Sequence, residues 1–168
     1  MNIKTLLMMC GLAVCQLAQP ALAGALEDGM AAFAHGYYTK ALKLVQPLAE
    51  QGDAKAQNLI GLIYADGKGV PQDFAEAVKW YRKAADQGYA GAQNNLGLMY
   101  LKGRGVPQDY VQAYVWFDLT AAGLSVSKTG MHGNAVHQRD AVAKKMTPYQ
   151  IAEAQRLAQE WLAAHPKK

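Results

Sequence analysis

The sequence predicts an all-α solenoid of stacked helical hairpins closed by a C-terminal capping helix, and three observations carry that reading. The first is an internal repeat. Shifting the chain by 36 residues lays 52–87 over 88–123 with 17 identities in 36 positions, and a period between about 20 and 50 residues is the mark of a solenoid. The second is that each copy is rich in helix formers but is interrupted once, by Gly67-Lys68-Gly69-Val70-Pro71 and by Gly103-Arg104-Gly105-Val106-Pro107. The third is a helix-start signal after each interruption, Asp73 and Asp109, so every copy reads as helix, break, helix.

In chain order, residues 1–23 read as a secretory signal peptide. Lys4 supplies the early positive charge, Leu6 to Leu17 is apolar except for Gln16, and Ala21-Leu22-Ala23 is a small-residue cleavage site, with cleavage expected after Ala23. The apolar run falls short of the ~20 residues that span a bilayer. Cys15 as a lipoprotein acceptor is the lesser alternative, because bulky Val14 precedes it. Both cysteines, Cys10 and Cys15, lie in the removed part, so the mature chain from Gly24 must be stabilised by its core rather than by disulfides. It keeps 16 of the 17 basic residues against 13 acidic ones, a net charge of +3 without a basic block, which argues against nucleic acid as partner.

Residues 24–51 read as a degenerate hairpin that caps the N-terminal end, with helices at 25–34 and 38–51 around His35-Gly36-Tyr37. Ala41, Lys43, Ala49 and Gln51 each lie 36 residues before an identical residue. In the first full repeat, Ala54 to Ala65 is helical, with Ala56, Ile60, Gly61 and Tyr64 on one face. Glycine within a helix costs roughly 1 kcal/mol relative to alanine, so Gly61 and Gly97 imply close approach of the paired helix at Ala77 and Ala113. Asp73 with Glu76, and Asp109 with Gln112, have capping-box spacing. The second helix runs to about Gln87 with Ala77, Trp80, Tyr81 and Ala84 inward, and Gly88 ends it. Tyr64, Trp80 and Tyr81, with Tyr100, Trp116 and Phe117 in the second copy, are expected to fill the space between hairpins.

Beyond the repeats, 124–132 reads as a loop and 135–145 as a helix. Thr147-Pro148-Tyr149-Gln150 is a helix start with Ile151, Ala154, Leu157, Ala158, Trp161 and Leu162 on one face behind it, to cover the open end of the stack. His165 to Lys168 is a frayed tail.

The pattern from Ala54 to Ala85, Ala-x-Ala-Gln-x-x-Ile-Gly-x-x-Tyr-x-x-Gly-x-Gly-Val-Pro-Gln-Asp-Phe-x-x-Ala-x-x-Trp-Tyr-x-x-Ala-Ala, closely resembles the Sel1-like repeat (SLR), a relative of the tetratricopeptide repeat. The second copy matches from Ala90, with Thr120 where alanine is usual. The resemblance implies a right-handed α/α superhelix that serves as a protein-interaction scaffold, in bacteria often exported to envelope, signalling or host-contact roles. It makes Gly61, Tyr64, Gly67, Gly69, Pro71, Asp73 and Trp80 structural, with Gly97, Tyr100, Gly103, Gly105, Pro107, Asp109 and Trp116 their counterparts. β-Lactam binding or hydrolysis, described for cysteine-rich members, transfers weakly to a mature chain without cysteine.

If the hairpins pack as in tetratricopeptide repeats, the first helices line a concave groove with Lys55, Asn58, Leu62 and Ala65, then Gly91, Asn94, Leu98 and Leu101. Asn58 and Asn94 suit an extended peptide backbone, since each carries donor and acceptor; a solvated, duplicated helix face is the plainer reading. Tyr89, Tyr110 and Tyr114 add aromatic area. The expectation is therefore a monomeric, non-enzymatic, periplasmic or secreted binder of a protein or peptide, without cofactor, metal or transmembrane segment. The rival is a small envelope hydrolase acting on β-lactam or peptidoglycan through the His132–Asp140 segment. Ser125 or Ser127 with His132 or His137 and Asp118 or Asp140 supplies triad residue types, but no nucleophile elbow surrounds either serine. His132 and His137, spaced by five, do not share a helix face as paired metal ligands would. A purely structural envelope role is the third reading.

Overall fold

In the computed structural model, which describes residues 24–123 and 129–166, eight helices and no strand are found among the described residues. Helix α1 (24–34) and α2 (Tyr38–Glu50) form the N-terminal hairpin. The two repeats are α3 (Ala54–Asp66) with α4 (Phe74–Asp86), and α5 (Ala90–Lys102) with α6 (Tyr110–Gly123). Then come α7 (Thr129–Ala143) and α8 (Pro148–Ala164). Helices from α2 to α6 each pack on the next in order, and α8 lies on α6. The signal-peptide reading, the serines at 125 and 127, and Lys167–Lys168 fall outside the described residues.

Two apolar clusters fill the stack. Ala41, Val45, Ile60 and Ile63 form one between α2 and α3, while Tyr81, Leu96, Phe117, Val142, Ala154 and Ala158 belong to the other, which runs from α4 to α8. Leu62 and Tyr64 touch both clusters and make the core continuous. Gly61 and Gly97 do permit close approach, but the expected partners were the wrong ones. A Cβ at Gly61 would lie 2.5 Å from the Tyr81 ring, and one at Gly97 would lie 2.7 Å from the Phe117 ring. The glycines make room for buried rings rather than for Ala77 and Ala113.

Each break is folded back onto the helix it follows. Gln72 Nε2 donates to the Ala65 carbonyl and Gln108 Nε2 to that of Leu101, both at 2.8 Å. The N–H groups of Asp73 and Asp109 donate to the Tyr64 and Tyr100 carbonyls at 3.0 Å. Carbonyls that a helix end leaves open are thereby satisfied. The same bonds explain why the expected capping boxes are only half made. Asp73 and Asp109 accept from Glu76 N–H and Gln112 N–H, but their own N–H groups are already used, and the Glu76 carboxylate pairs with Lys79. The complete box is at α8, between Thr147 and Gln150.

Between hairpins, the second glycine of each break sits against the start of the preceding hairpin's second helix, Gly69 on Tyr38 and Thr39 and Gly105 on Phe74. The basic residue before it lies over the aromatic that opens that helix. Lys68 Nζ is 5.4 Å from the Tyr38 ring centroid, and the Arg104 guanidinium is 5.3 Å from that of Phe74. Lys145, in the turn between α7 and α8, repeats the contact on Tyr110 at 5.4 Å. Such contacts contribute about 0.5–1 kcal/mol each when exposed, and here each joins one hairpin to the next.

Residues 129–132 are helical, against the expected loop. Gly130 and Gly133 make 129–133 a weak helix former, but packing on α6 overrides propensity. Ala135 and Val142 are buried, and a His132 ring nitrogen lies 3.1 Å from the Ala121 carbonyl. Trp80, expected inward, is half-buried, with the Lys83 ammonium 4.0 Å from its ring centroid.

Candidate functional site

The strip expected to bind a partner begins with Asp53, whose side chain accepts from Ala56 N–H at 2.8 Å and starts α3. Lys55, in the first turn, is exposed. Asn58, Leu62, Gly91, Asn94, Leu98 and Leu101 are half-buried, whereas Ala65 is buried and leaves the strip. The leucines rest on the core, so this face is anchored from below and offers part of its apolar surface above.

Asn58 and Asn94 are not equivalent, although they occupy the same place in the repeat. Asn58 Oδ1 accepts from Asn95 Nδ2 at 3.0 Å, a bond from one repeat to the next. Asn94 Oδ1 is buried without a hydrogen-bond partner among the described residues. Sequence reasoning missed Asn95. Its signal was the pair Asn94-Asn95 where the first copy has Asn58-Leu59, a polar residue in place of a core leucine. A buried amide oxygen without a donor costs free energy, and Asn94 is the residue of this strip that carries one among the described residues. Tyr89 packs its ring 3.0 Å from where a Gly91 Cβ would lie, Tyr110 carries Lys145, and Tyr114 is buried with its hydroxyl 3.4 Å from Gln155 Nε2.

Arg139 draws in both carboxylates, Asp118 at 3.0 Å and Asp140 at 2.9 Å, while His132 faces the Ala121 carbonyl and His137 is half-buried. Among the described residues, no three His, Cys, Asp or Glu side chains are placed to hold a metal ion.

A cleft of about 620 Å³ opens where the end of α8 crosses the turn between α4 and α5. Asp86 lies at its edge, and partial burial raises its carboxyl above the ordinary value of 3.8, against the opposing pull of Arg82 and His165. A carboxyl whose pKa is raised by folding contributes its full stability below 3.8 and loses it as pH rises through the folded value. Asp86→Asn is therefore expected to raise the melting temperature at pH 7 and to leave it unchanged at pH 3, read by circular dichroism at both.

Stacked helical hairpins with a 36-residue period define the molecule as a helical-repeat protein. Residues 54–89 and 90–123 each match the Sel1 repeat family model, and the chain is a Sel1-like repeat protein. Among solved structures it is similar to a protective antigen of uropathogenic Escherichia coli with an SLR fold, at 33% identity over 84% of this chain and a TM-score of 0.75. It is also similar to a Sel1 repeat protein from Oxalobacter formigenes, at 29% identity over 77% of this chain and a TM-score of 0.58. The alignments span 30% and 59% of those two proteins. No curated protein sequence matches the chain. Sel1 repeats generally mediate protein interactions, and the fold is typically non-catalytic. No described helix is long and apolar enough to cross a membrane.

Proposed function

We propose that this is an exported, non-enzymatic scaffold, periplasmic or secreted, that binds a protein or peptide through the face of α3 and α5 that carries Lys55, Asn58, Leu62, Asn94, Leu98 and Leu101. The observation that carries the reading is Asn94, whose buried Oδ1 lacks a donor among the described residues in a strip flanked by half-buried leucines. An extended peptide supplies N–H groups for such an acceptor and side chains for the leucines. The likeness to a protective antigen supports a place outside the cytoplasm, because an antigen must be reachable to protect, and the signal-peptide pattern of residues 1–23 agrees.

In-cell crosslinking followed by mass spectrometry tests this, with Asn58→Ala, Asn94→Ala beside the natural chain. One dominant partner, lost from the double variant, is the expected result. A partner retained by the variant removes the strip as the site, and no partner above background in either sample removes the scaffold. The intact mass of the exported chain should correspond to a start at Gly24; a start at Met1 would count against export.

A further inference from the structure

The two repeats treat one buried glutamine differently. In the first, Gln57 uses both ends of its carboxamide. Nε2 donates to the Ala49 carbonyl at 2.9 Å, and Oε1 accepts from Gln87 Nε2 at 2.8 Å. Thirty-six residues on, Gln93 again donates, to the Ala85 carbonyl at 3.3 Å, and only 2% of it is exposed. Its Oε1 has no hydrogen-bond partner among the described residues. The reason is in the sequence, since the position matching Gln87 is Gly123. The side chain that would have supplied the donor is deleted, and a Cβ built at Gly123 comes within 4.0 Å of Gln93 Oε1.

The deletion leaves space. Gln93 and Gly123 both line the cleft of about 620 Å³, whose apolar wall includes Leu119, Trp161 and Leu162. His165 holds that wall in place, stacked on Trp161 with ring centroids 4.2 Å apart and with Nδ1 2.9 Å from the Trp161 carbonyl. An apolar cleft with one buried, unsatisfied acceptor has the make-up of a ligand site, and an orphaned buried polar atom calls for an explanation. The first repeat shows what fits, because there the acceptor is met by a glutamine carboxamide.

We propose that this cleft binds the carboxamide side chain of a glutamine or asparagine in a peptide partner, whose N–H donates to Gln93 Oε1 in place of the missing Gln87 counterpart. Leu119, Trp161 and Leu162 receive the apolar residues that flank the amide. None of the α3–α5 strip residues lines this cleft, so the site stands whether or not that strip binds.

The test uses the full chain and acetyl-Leu-Gln-Leu-N-methylamide, a probe whose only primary carboxamide is the glutamine. Its Glu and Leu analogues and free L-glutamine serve as comparisons. The glutamine peptide should shift the Gln93 side-chain and Trp161 indole NMR signals, and the analogues should bind roughly tenfold more weakly or less. Free L-glutamine, lacking apolar neighbours, should also bind more weakly than the peptide. Gly123→Gln, which restores the arrangement of the first repeat, should abolish peptide binding. It should also melt above Gly123→Ala, which gives the helix propensity without the donor, by roughly 2–4 °C. Equal binding of the Glu or Leu peptide, or binding that survives in Gly123→Gln, overturns the proposal. So does a stabilised Gly123→Gln with no peptide bound by the natural chain, which would mean that water alone fills the site. Free L-glutamine binding as tightly as the peptide would move the ligand from a peptide to an amino acid.

Discussion

Gly105→Ala is expected to lower the melting temperature by roughly 6–12 °C, from a loss of about 3 kcal/mol. Two costs add at this residue. Its φ is +72°, in the left-handed region, where a side chain costs roughly 1–2 kcal/mol. The new methyl would also run into the Phe74 carbonyl oxygen and lie 2.7 Å from Ala75 N. Both are backbone atoms at the start of α4, which cannot swing aside as a side-chain tip would, and forced overpacking costs about 1–3 kcal/mol. Gly103→Ala is the control in the same loop. Its φ of +63° carries the first cost, but its nearest neighbour, Gln108, would be 3.3 Å away, so about 1 kcal/mol is expected. Gly69→Ala, facing Tyr38 and Thr39 at 3.0 Å, should fall between the two. Thermal melts by circular dichroism decide it. Equal losses at Gly103 and Gly105 would mean that the loop is not wedged against the preceding hairpin.

That contact marks the boundary between what the sequence made legible and what it did not. The period, the breaks and the helix starts could be read because each rests on local chemistry. Glycine takes positive φ, proline stops a helix, and Asp or Thr accepts from the first turn. Which residue meets which across helices depends on their relative rotation, which no local rule supplies. Gly61 was legible as a point of close approach, but whether Ala77 or Tyr81 stood opposite was not. The different surroundings of Asn58 and Asn94 were illegible for a related reason. Equal places in a repeat need not be neighbours in the stack, and the bond from Asn58 runs to Asn95. The departure from the repeat at 124–132 argued for a loop, and over 129–132 the packing of α7 on α6, with Ala135 and Val142 buried, outweighed it.

The candidate sites were legible to different degrees. Choosing the first helices of the hairpins required only the repeat and its resemblance. The unsatisfied oxygens of Asn94 and Gln93 required coordinates, because a lone pair without a donor is a property of surroundings. The Gly123 substitution was visible on the page as a mismatch with Gln87. It acquired meaning only when Gln57 was seen to depend on Gln87 and α8 was seen to wall the space that remained.

Gly97→Ala should be destabilising although alanine is the better helix former. In an unconstrained helix the exchange would gain about 1 kcal/mol. Here the added methyl would lie 2.7 and 2.9 Å from two atoms of the Phe117 ring. That ring is fully buried in the cluster that joins α4 to α8, so it has no solvent to turn into. Moving it disturbs neighbours packed at near-crystalline density, at about 1–3 kcal/mol. Net of the helix gain, the expected loss is up to about 2 kcal/mol, or up to roughly 8 °C in melting temperature. Phe117→Leu alone should also destabilise, by shrinking a buried side chain. In that background, however, Gly97→Ala should become neutral or stabilising, because the leucine leaves room for the methyl and the helix gain is then expressed. The double-mutant cycle isolates this coupling, and additive losses would show that Gly97 is not there to admit the ring. Gly61 with Tyr81, approached at 2.5 Å, should repeat the sign change one hairpin earlier, as a repeat protein whose units pack by the same rule requires.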